Sequence, residues 1–250
     1  MDLEIAGRLA VLTMRNGKAN AIGPAFLDRL SSQLDALAAS GAGALVLTGE
    51  GRAFSAGLDL PAVAALDHPA LERFIQRFSE VMLRVFTLPL PVVAAINGHA
   101  IAGGCVLAMQ ADVRLAAAGD YRIGLNEVAI GLGLPAVVLE TLRAQVSPAS
   151  VGPVALEGRL LAPEEARAFG LVEAVVPPAV LLEQARGRAA GLAALPAPAF
   201  RDVKQALRGP VAAAVRRVER EDARRWVDVA FSPATRERLE QLVSRLARPR

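Results

Sequence analysis

Residues 96–112 read INGHAIAGGCVLAMQAD and decide the fold of this chain. They follow residues 91–95, PVVAA, a short uncharged run that is typical of a buried strand. Asn97-Gly98 predicts a turn, because both residues tolerate positive φ, and from Gly103 the pattern becomes helical. The first N–H groups of a helix are unpaired, and glycine lets a ligand atom approach them closely. The stretch therefore predicts a strand, a turn and a helix with an oxyanion donor at Gly103.

The pattern of this region is compatible with two other structures. Residues 85–111 contain no charged side chain, and that length is compatible with a membrane-spanning helix. Pro89, Pro91 and the polar residues of the turn interrupt the run, so a strand followed by a buried helix is favoured and no membrane association is expected. A tight turn with a purely structural role before a core helix stays open, since isolated glycine motifs are weak signals.

Composition narrows the class of protein. A chain of 250 residues with 53% hydrophobic residues fits one large α/β domain, or one domain with an appendage. The net charge is +3, but the basic residues are scattered, so acidic small molecules are favoured over nucleic acid as partners. A single cysteine excludes an internal disulfide, and two histidines make no zinc ligand cluster. The N-terminal residues show no signal-peptide pattern, so we expect a cytoplasmic enzyme or binding protein.

Strand and helix patterns alternate along the chain as they do in crossover units. Residues 3–14 predict a hairpin about Gly7-Arg8, and beyond residue 178 the chain is helical, with a joint at Pro196-Ala197-Pro198. The amphipathic tail should pack on the core or on another subunit. Between the hairpin and the tail, the patterns predict helices from Pro24, over residues 71–86 and from Pro163 to a stop at Gly170, and strands over residues 44–49, 112–116 and 172–177.

The loop at residues 51–61 follows a predicted strand, which is where α/β proteins place ligands. Ser55 lies among small residues, but Gly-x-Ser-x-Gly is absent and no acid–His partner is evident, which disfavours a serine nucleophile. Asp59 is interpreted first as a cap of the following helix.

Glu127 is the only carboxylate between Asp120 and Glu140, and its neighbours are apolar or small. Burial without a partner would raise its pKa and make it a proton acceptor or donor near neutrality. An exposed glutamate at a bend is the alternative.

Taken together and in order, three motifs and a later segment resemble the crotonase (enoyl-CoA hydratase/isomerase) superfamily. The resemblance implies an α/β fold, a spiral of ββα units over residues 1–196, and a C-terminal helical oligomerisation region over residues 197–250 that forms a homotrimer or a dimer of trimers. The segments that carry the resemblance are residues 53–60 (AFSAGLDL), the run from residue 91 to Cys105, residues 124–127 (GLNE) and residues 162–172.

The resemblance also implies roles for individual residues. Leu58 and Gly103 would donate backbone N–H groups to the carbonyl of an acyl-CoA thioester, which agrees with the helix-start argument. Coenzyme A would enter as part of the substrate, with no separate cofactor and no metal. The substrate-binding set is Phe54, Ala56 and Asp59 for the CoA moiety, and Val106, Leu132 and Leu134 for the acyl moiety.

Hydratases of the superfamily carry two glutamates, whereas this chain has Val106 at the first position and Glu127 at the second. In this it is most similar to the mitochondrial-type Δ3,Δ2-enoyl-CoA isomerases. We therefore expect a one-base isomerase in which Glu127 moves a proton from C2 to C4 of a 3-enoyl-CoA. Glu140 is an outside candidate for a second carboxylate.

Other functions stay open at this point. They are enoyl-CoA hydration or another crotonase-type reaction with Glu127 as the sole base, thioester hydrolysis through Ser55 or Glu127, and a catalytically silent acyl-CoA binder. We expect His99 to be a hydrogen-bonded turn residue and Cys105 a small packing residue of the helix.

Overall fold

The strands form two sheets. A computed structural model describes residues 1–17 and 19–246. The strands are β1 (Asp2–Ala6), β2 (Leu9–Met14), β3 (Ala44–Gly49), β4 (Ala53–Ser55), β5 (Val92–Ile96), β6 (His99–Ile101), β7 (Val113–Ala117), β8 (Ile123–Gly124) and β9 (Ala174–Val176). The larger sheet has the order β1-β2-β3-β5-β7-β9 and the smaller has the order β4-β6-β8.

The predicted hairpin is confirmed, because β1 and β2 pair antiparallel about Gly7, which has φ +60°. All later pairings of named strands are parallel. Strands β3, β5 and β7 are almost wholly buried, as their continuous apolar sequences predict.

A ββα unit repeats along the chain. Strands β3, β5 and β7 each enter the larger sheet, and the strand that follows each of them enters the smaller one. The expected α/β spiral is therefore confirmed. Its consequence is that the loops after the carboxyl ends of β3 and β5 meet at one edge of the larger sheet, next to the smaller sheet.

Ten α-helices complete the described part of the chain. Helix α3 buries the apolar side chains that predicted it, and α4 begins at Gly103 as expected. The helices are α1 (Pro24–Ala39), α2 (Leu60–Ala64), α3 (His68–Phe86), α4 (Gly103–Met109), α5 (Ala136–Gln145), α6 (Pro148–Leu156), α7 (Pro163–Ala168), α8 (Leu181–Ala193), α9 (Ala197–Ala230) and α10 (Pro233–Leu246).

The C-terminal helices pack on the core of the same chain. Helix α9 begins at Ala197, next to the predicted joint, and contacts α3 and α5, while α10 contacts α2. The division at residue 196 and the oligomerisation role of residues 197–250 stay predictions, and residues 247–250 lie outside the described part.

A buried ionic cluster fastens α9 to the sheet. Asp112, just before β7, accepts from Lys204 Nζ at 2.7 Å and lies 2.8 Å from Arg208 Nη2. Arg208 also donates to three backbone carbonyls. Buried charges are tolerated only when they are paired and hydrogen-bonded in this way.

Residues 85–111, the uncharged stretch, are divided among α3, β5, β6 and α4. Within residues 1–17 and 19–246, no helix has both the length and the apolarity that a membrane crossing requires.

Candidate active site

The backbone of Leu58 is held so that its N–H group faces away from the neighbouring segment. Ile22 donates to the Gly57 carbonyl at 2.7 Å and accepts from the Asp59 N–H at 3.0 Å. In a parallel pairing of this kind the residue between the two bonded neighbours directs its own N–H to the other side. Among the described residues, the Leu58 N–H has no backbone acceptor.

Gly103 is the first residue of α4, and its N–H precedes the first intrahelical hydrogen bond, from Val106 to Ala102. The residue before it is strained, since Ala102 has φ +50° and ψ −123° without being glycine. Such strain clusters at functional sites, where the surrounding structure imposes it. Here it turns the chain sharply from β6 into the start of α4.

The two segments touch at Gly57. This residue has φ +89°, and a Cβ there would lie 2.7 Å from the Ile101 carbonyl oxygen and 3.2 Å from the Gly103 nitrogen. A Cβ on Gly103 would lie 3.5 Å from Leu58 Cδ2. The structure therefore brings Leu58 and Gly103 side by side, as an oxyanion hole made of two amides requires. Their role as donors stays a prediction.

Glu127 is buried, with 7% of the residue exposed, so the alternative of an exposed glutamate at a bend is wrong. Its Oε2 atom has no hydrogen-bond partner among the described residues. Burial raises the pKa of Glu127 to about 7, and the carboxylate's hydrogen bond to its own backbone N–H opposes this only partly. The carboxyl group can therefore accept or give a proton near neutral pH.

The Glu127 side chain lies within electrostatic reach of α4. Burial first, and then the charge of Glu127, raises the pKa of the Cys105 thiol to about 12. Cys105 is only two residues beyond Gly103, so the carboxyl group and the donor end of α4 occupy the same part of the molecule. The buried thiol stays protonated, which agrees with its expected packing role.

Asn126 is a polar residue for which no role is predicted from the sequence. Its Oδ1 atom is buried without a hydrogen-bond partner in the described part of the chain, like the neighbouring Glu127 Oε2. Adjacent orphaned acceptors are rare in folded proteins and indicate a place for a polar ligand or water. The signal in the sequence was the pair Asn126-Glu127 within an apolar stretch.

The first glutamate position of the superfamily is occupied by a core residue here. Val106 is fully buried on α4, one turn after Gly103. Glu140, the outside candidate, lies on α5 and forms an ion pair with Arg143 at 2.5 Å. These two positions supply no second free carboxylate beside Glu127.

The predicted CoA-contacting residues lie along one segment from β4 to α2. The Phe54 side chain is fully buried in the core, and the Ala56 N–H donates to the Ala19 carbonyl at 2.9 Å. Asp59 caps α2 by accepting from the Ala62 N–H at 3.2 Å, as its first interpretation predicts. Contact of these residues with CoA stays a prediction.

A mostly apolar cavity of about 120 Å³, whose lining also includes Arg236 and Glu240, lies beside these elements. Leu132 and Leu134, the predicted acyl contacts on this loop, are both buried in the core, and only Leu132 lines the cavity. Leu60 also lines it, two residues after Leu58. Its further apolar lining includes Val63, Leu71, Trp226 and Phe231.

The Ser55 hydroxyl is fully engaged in local structure, donating to the Asn20 carbonyl at 2.8 Å and accepting from the Gly57 N–H at 3.2 Å. It therefore supports the glycine loop, and its proton points to a carbonyl group and not to the base that would activate a nucleophile. His99 Nδ1 accepts from the Arg122 N–H at 3.1 Å, which is the expected turn role. No group of three possible metal ligands occurs among residues 1–17 and 19–246.

Comparison with known proteins agrees with this geometry. A sequence model of the family described as enoyl-CoA hydratase/isomerase matches residues 4–241. The chain belongs to that family. The expectation of an enzyme of the crotonase superfamily is thereby confirmed.

Relatives in this family are named either as hydratases or as isomerases. A putative enoyl-CoA hydratase of Thermus thermophilus is 37% identical over 188 residues, covering 73% of this chain and 74% of that protein. The crystal structure of human mitochondrial delta3-delta2-enoyl-CoA isomerase superimposes with a TM-score of 0.94 at 28% identity, covering 98% of this chain and 96% of the other. An enoyl-CoA hydratase (ECHA3) from Mycobacterium marinum gives a TM-score of 0.82 at 30% identity, covering 92% and 99%.

Proposed function

We propose that this enzyme isomerises 3-enoyl-CoA thioesters to 2-enoyl-CoA thioesters, with Glu127 as its single base. The Glu127 carboxylate takes a proton from C2, and the electron pair of that C–H bond enters the conjugated dienolate of the thioester. The protonated Glu127 then gives the same proton to C4, and the double bond comes to lie between C2 and C3. No water and no further cofactor enters the balance.

The observation that carries the proposal is the buried carboxyl group of Glu127, whose Oε2 atom has no hydrogen-bond partner among the described residues, in a chain that has the buried apolar Val106 at the other acid position. A group that both removes and returns a proton works best when its pKa is near the operating pH, and burial brings Glu127 to about 7. The two-glutamate hydratases hold water with a second carboxylate, and the Val106 side chain cannot serve as an acid or a base.

The backbone amides of Leu58 and Gly103 would stabilise the dienolate oxygen. Negative charge develops on the thioester oxygen as C2 loses its proton, so preorganised donors lower the barrier. One such donor is typically worth about 3 kcal/mol of barrier height. The orientation of Leu58 away from Ile22 and the position of Gly103 at a helix start both support this role.

The cavity beside Leu132 would take the acyl tail. It adjoins Leu60, close to one proposed donor, and its apolar walls suit a hydrocarbon chain. The CoA moiety would follow the β4 to α2 segment through Phe54, Ala56 and Asp59.

The experiment supplies 3-enoyl-CoA and 2-enoyl-CoA separately to the wild type and to Glu127→Gln. We expect rapid isomerisation of the first substrate, little hydration of the second, and a loss of isomerisation of at least about a thousandfold in Glu127→Gln. The kcat/KM of the wild type should rise with pH and level off above about 7, because the base must be ionised.

Hydration is the second candidate, since the Thermus thermophilus relative is named a putative hydratase. If 2-enoyl-CoA is hydrated at a rate comparable to isomerisation, the one-base assignment is wrong and hydration takes its place. Release of free CoA from either substrate would instead indicate hydrolysis.

A further inference from the structure

The backbone of residues 127–132 is folded around the carbonyl group of Glu127. The Glu127 carbonyl accepts from the Ile130 N–H at 3.0 Å and from the Leu132 N–H at 2.9 Å. Gly131, between these donors, lies in the left-handed region with φ +87° and donates to the Val128 carbonyl. The position of Glu127 therefore depends on where residues 130–132 are held.

Side chains of the C-terminal helices α9 and α10 bind the backbone of this segment and of the residues that follow it. Three buried side chains, one from α10 and two from α9, make hydrogen bonds to its backbone. Thr235 Oγ1 donates to the Gly131 carbonyl at 2.8 Å, Trp226 Nε1 donates to the Gly133 carbonyl at 2.8 Å, and Asp222 Oδ2 accepts from the Ala136 N–H at 2.6 Å.

Of these three hydrogen bonds, the one from Thr235 ends nearest to Glu127 in the sequence, at Gly131. Because a carbonyl oxygen can only accept, the Thr235 hydroxyl proton is the one in the bond to Gly131, and Ser232 Oγ lies 3.0 Å from Thr235 Oγ1 on the other side. A Cβ on Gly131 would lie only 3.3 Å from Thr235 Oγ1, so the two residues are in close contact. A displacement of α10 at Thr235 would therefore also displace the turn at residues 130–132, whose N–H groups bind the Glu127 carbonyl.

We propose that Thr235 is a positioning residue that fixes the Glu127 carboxyl group through Gly131, with Trp226 as a second anchor at Gly133. The inference rests on the proposed role of Glu127 as the base. On this view the C-terminal helices take part in activity within their own chain, by setting where the base sits.

The test compares three single variants on α10. Thr235→Val keeps the shape of the side chain and removes its donor, Thr235→Ser keeps the donor, and Ser244→Ala removes an exposed hydroxyl from the same helix. We expect kcat for 3-enoyl-CoA to fall about ten- to a hundredfold in Thr235→Val with KM changed less than about twofold, because a small misplacement of a catalytic group is costly. Thr235→Ser should recover most of the rate, and Ser244→Ala should match the wild type.

A second measurement, the pKa of Glu127, does not depend on enzymatic activity. Titration of the Glu127 carboxyl carbon by NMR should give a pKa near 7 in the wild type, and a lower pKa in Thr235→Val, where the loosened turn admits water. If the wild type proves inactive on 3-enoyl-CoA, the proposed function fails, while this titration still tests the positioning role. If Thr235→Val fails to fold, Trp226→Phe removes the donor to Gly133 and is measured in the same way.

A merely structural role gives a different pattern. Thr235→Val would then melt at a lower temperature, but its folded fraction would keep the kcat and the Glu127 pKa of the wild type. That result, or an equal loss of rate in Ser244→Ala, would overturn the inference.

Discussion

Glu127→Gln should make the protein more stable, and increasingly so as the pH rises. The buried carboxyl group must ionise without a cationic partner among the described residues, which costs free energy in the folded state but not in the unfolded chain. Glutamine has nearly the same shape and no charge. The same substitution that abolishes the proposed activity should therefore relieve a cost to folding.

The size of the effect follows from the pKa. Burial raises the pKa of Glu127 from its ordinary 4.5 to about 7, which corresponds to about 3 kcal/mol at 1.36 kcal/mol per pKa unit. Between these values the folded protein keeps a proton that the unfolded chain has lost. The contribution of Glu127 to stability is thus greatest below pH 4.5, falls through this window, and reaches its full cost above about pH 7.

Urea unfolding of both proteins at pH 5 and pH 9, at one protein concentration, measures this. The difference in free energy of unfolding between Glu127→Gln and the wild type should grow by between about 2 and 3 kcal/mol from pH 5 to pH 9. Glu157→Gln is the control, because Glu157 is a surface residue whose side chain is 47% exposed. A difference that stays constant with pH would refute the assignment of Glu127 as a buried, unpaired carboxyl group.

Two further predictions concern the glycine loop and the buried ionic cluster. Gly57→Ala should lower kcat/KM about a hundredfold or more by displacing the Leu58 amide, whereas Gly51→Ala, which has φ +79° but open space, should leave it within about twofold. Steady-state kinetics on 3-enoyl-CoA checks this, and equal losses in the two variants would contradict it. Asp112→Asn should lower the free energy of unfolding by about 3 kcal/mol or more, since it leaves two buried cations without their counter-ion. Asp120→Asn, in an exposed pair, should change it by less than about 1 kcal/mol in the same urea titration, and similar losses would contradict a special role for the buried cluster.

Much of the fold could be predicted from local patterns. Continuous apolar runs predicted strands such as β3 and β5, helical spacing predicted α3, and glycine marked the hairpin at Gly7. These features depend on the period of side-chain burial and on the conformations that a few residue types allow, both of which are local properties.

The sequence by itself also determined which chemistry is available, because it holds Glu127 within an apolar stretch and Val106 where a second acid would stand. Only the tertiary structure decided that Glu127 is buried with its Oε2 atom unbonded within the described residues, that Leu58 turns its N–H away from Ile22, and that Gly57 lies against the start of α4. The hydrogen bond from Thr235 to Gly131 joins two residues that are 104 positions apart in the sequence. Contacts of that kind leave no periodic signal, because they are set by the packing of whole helices and sheets.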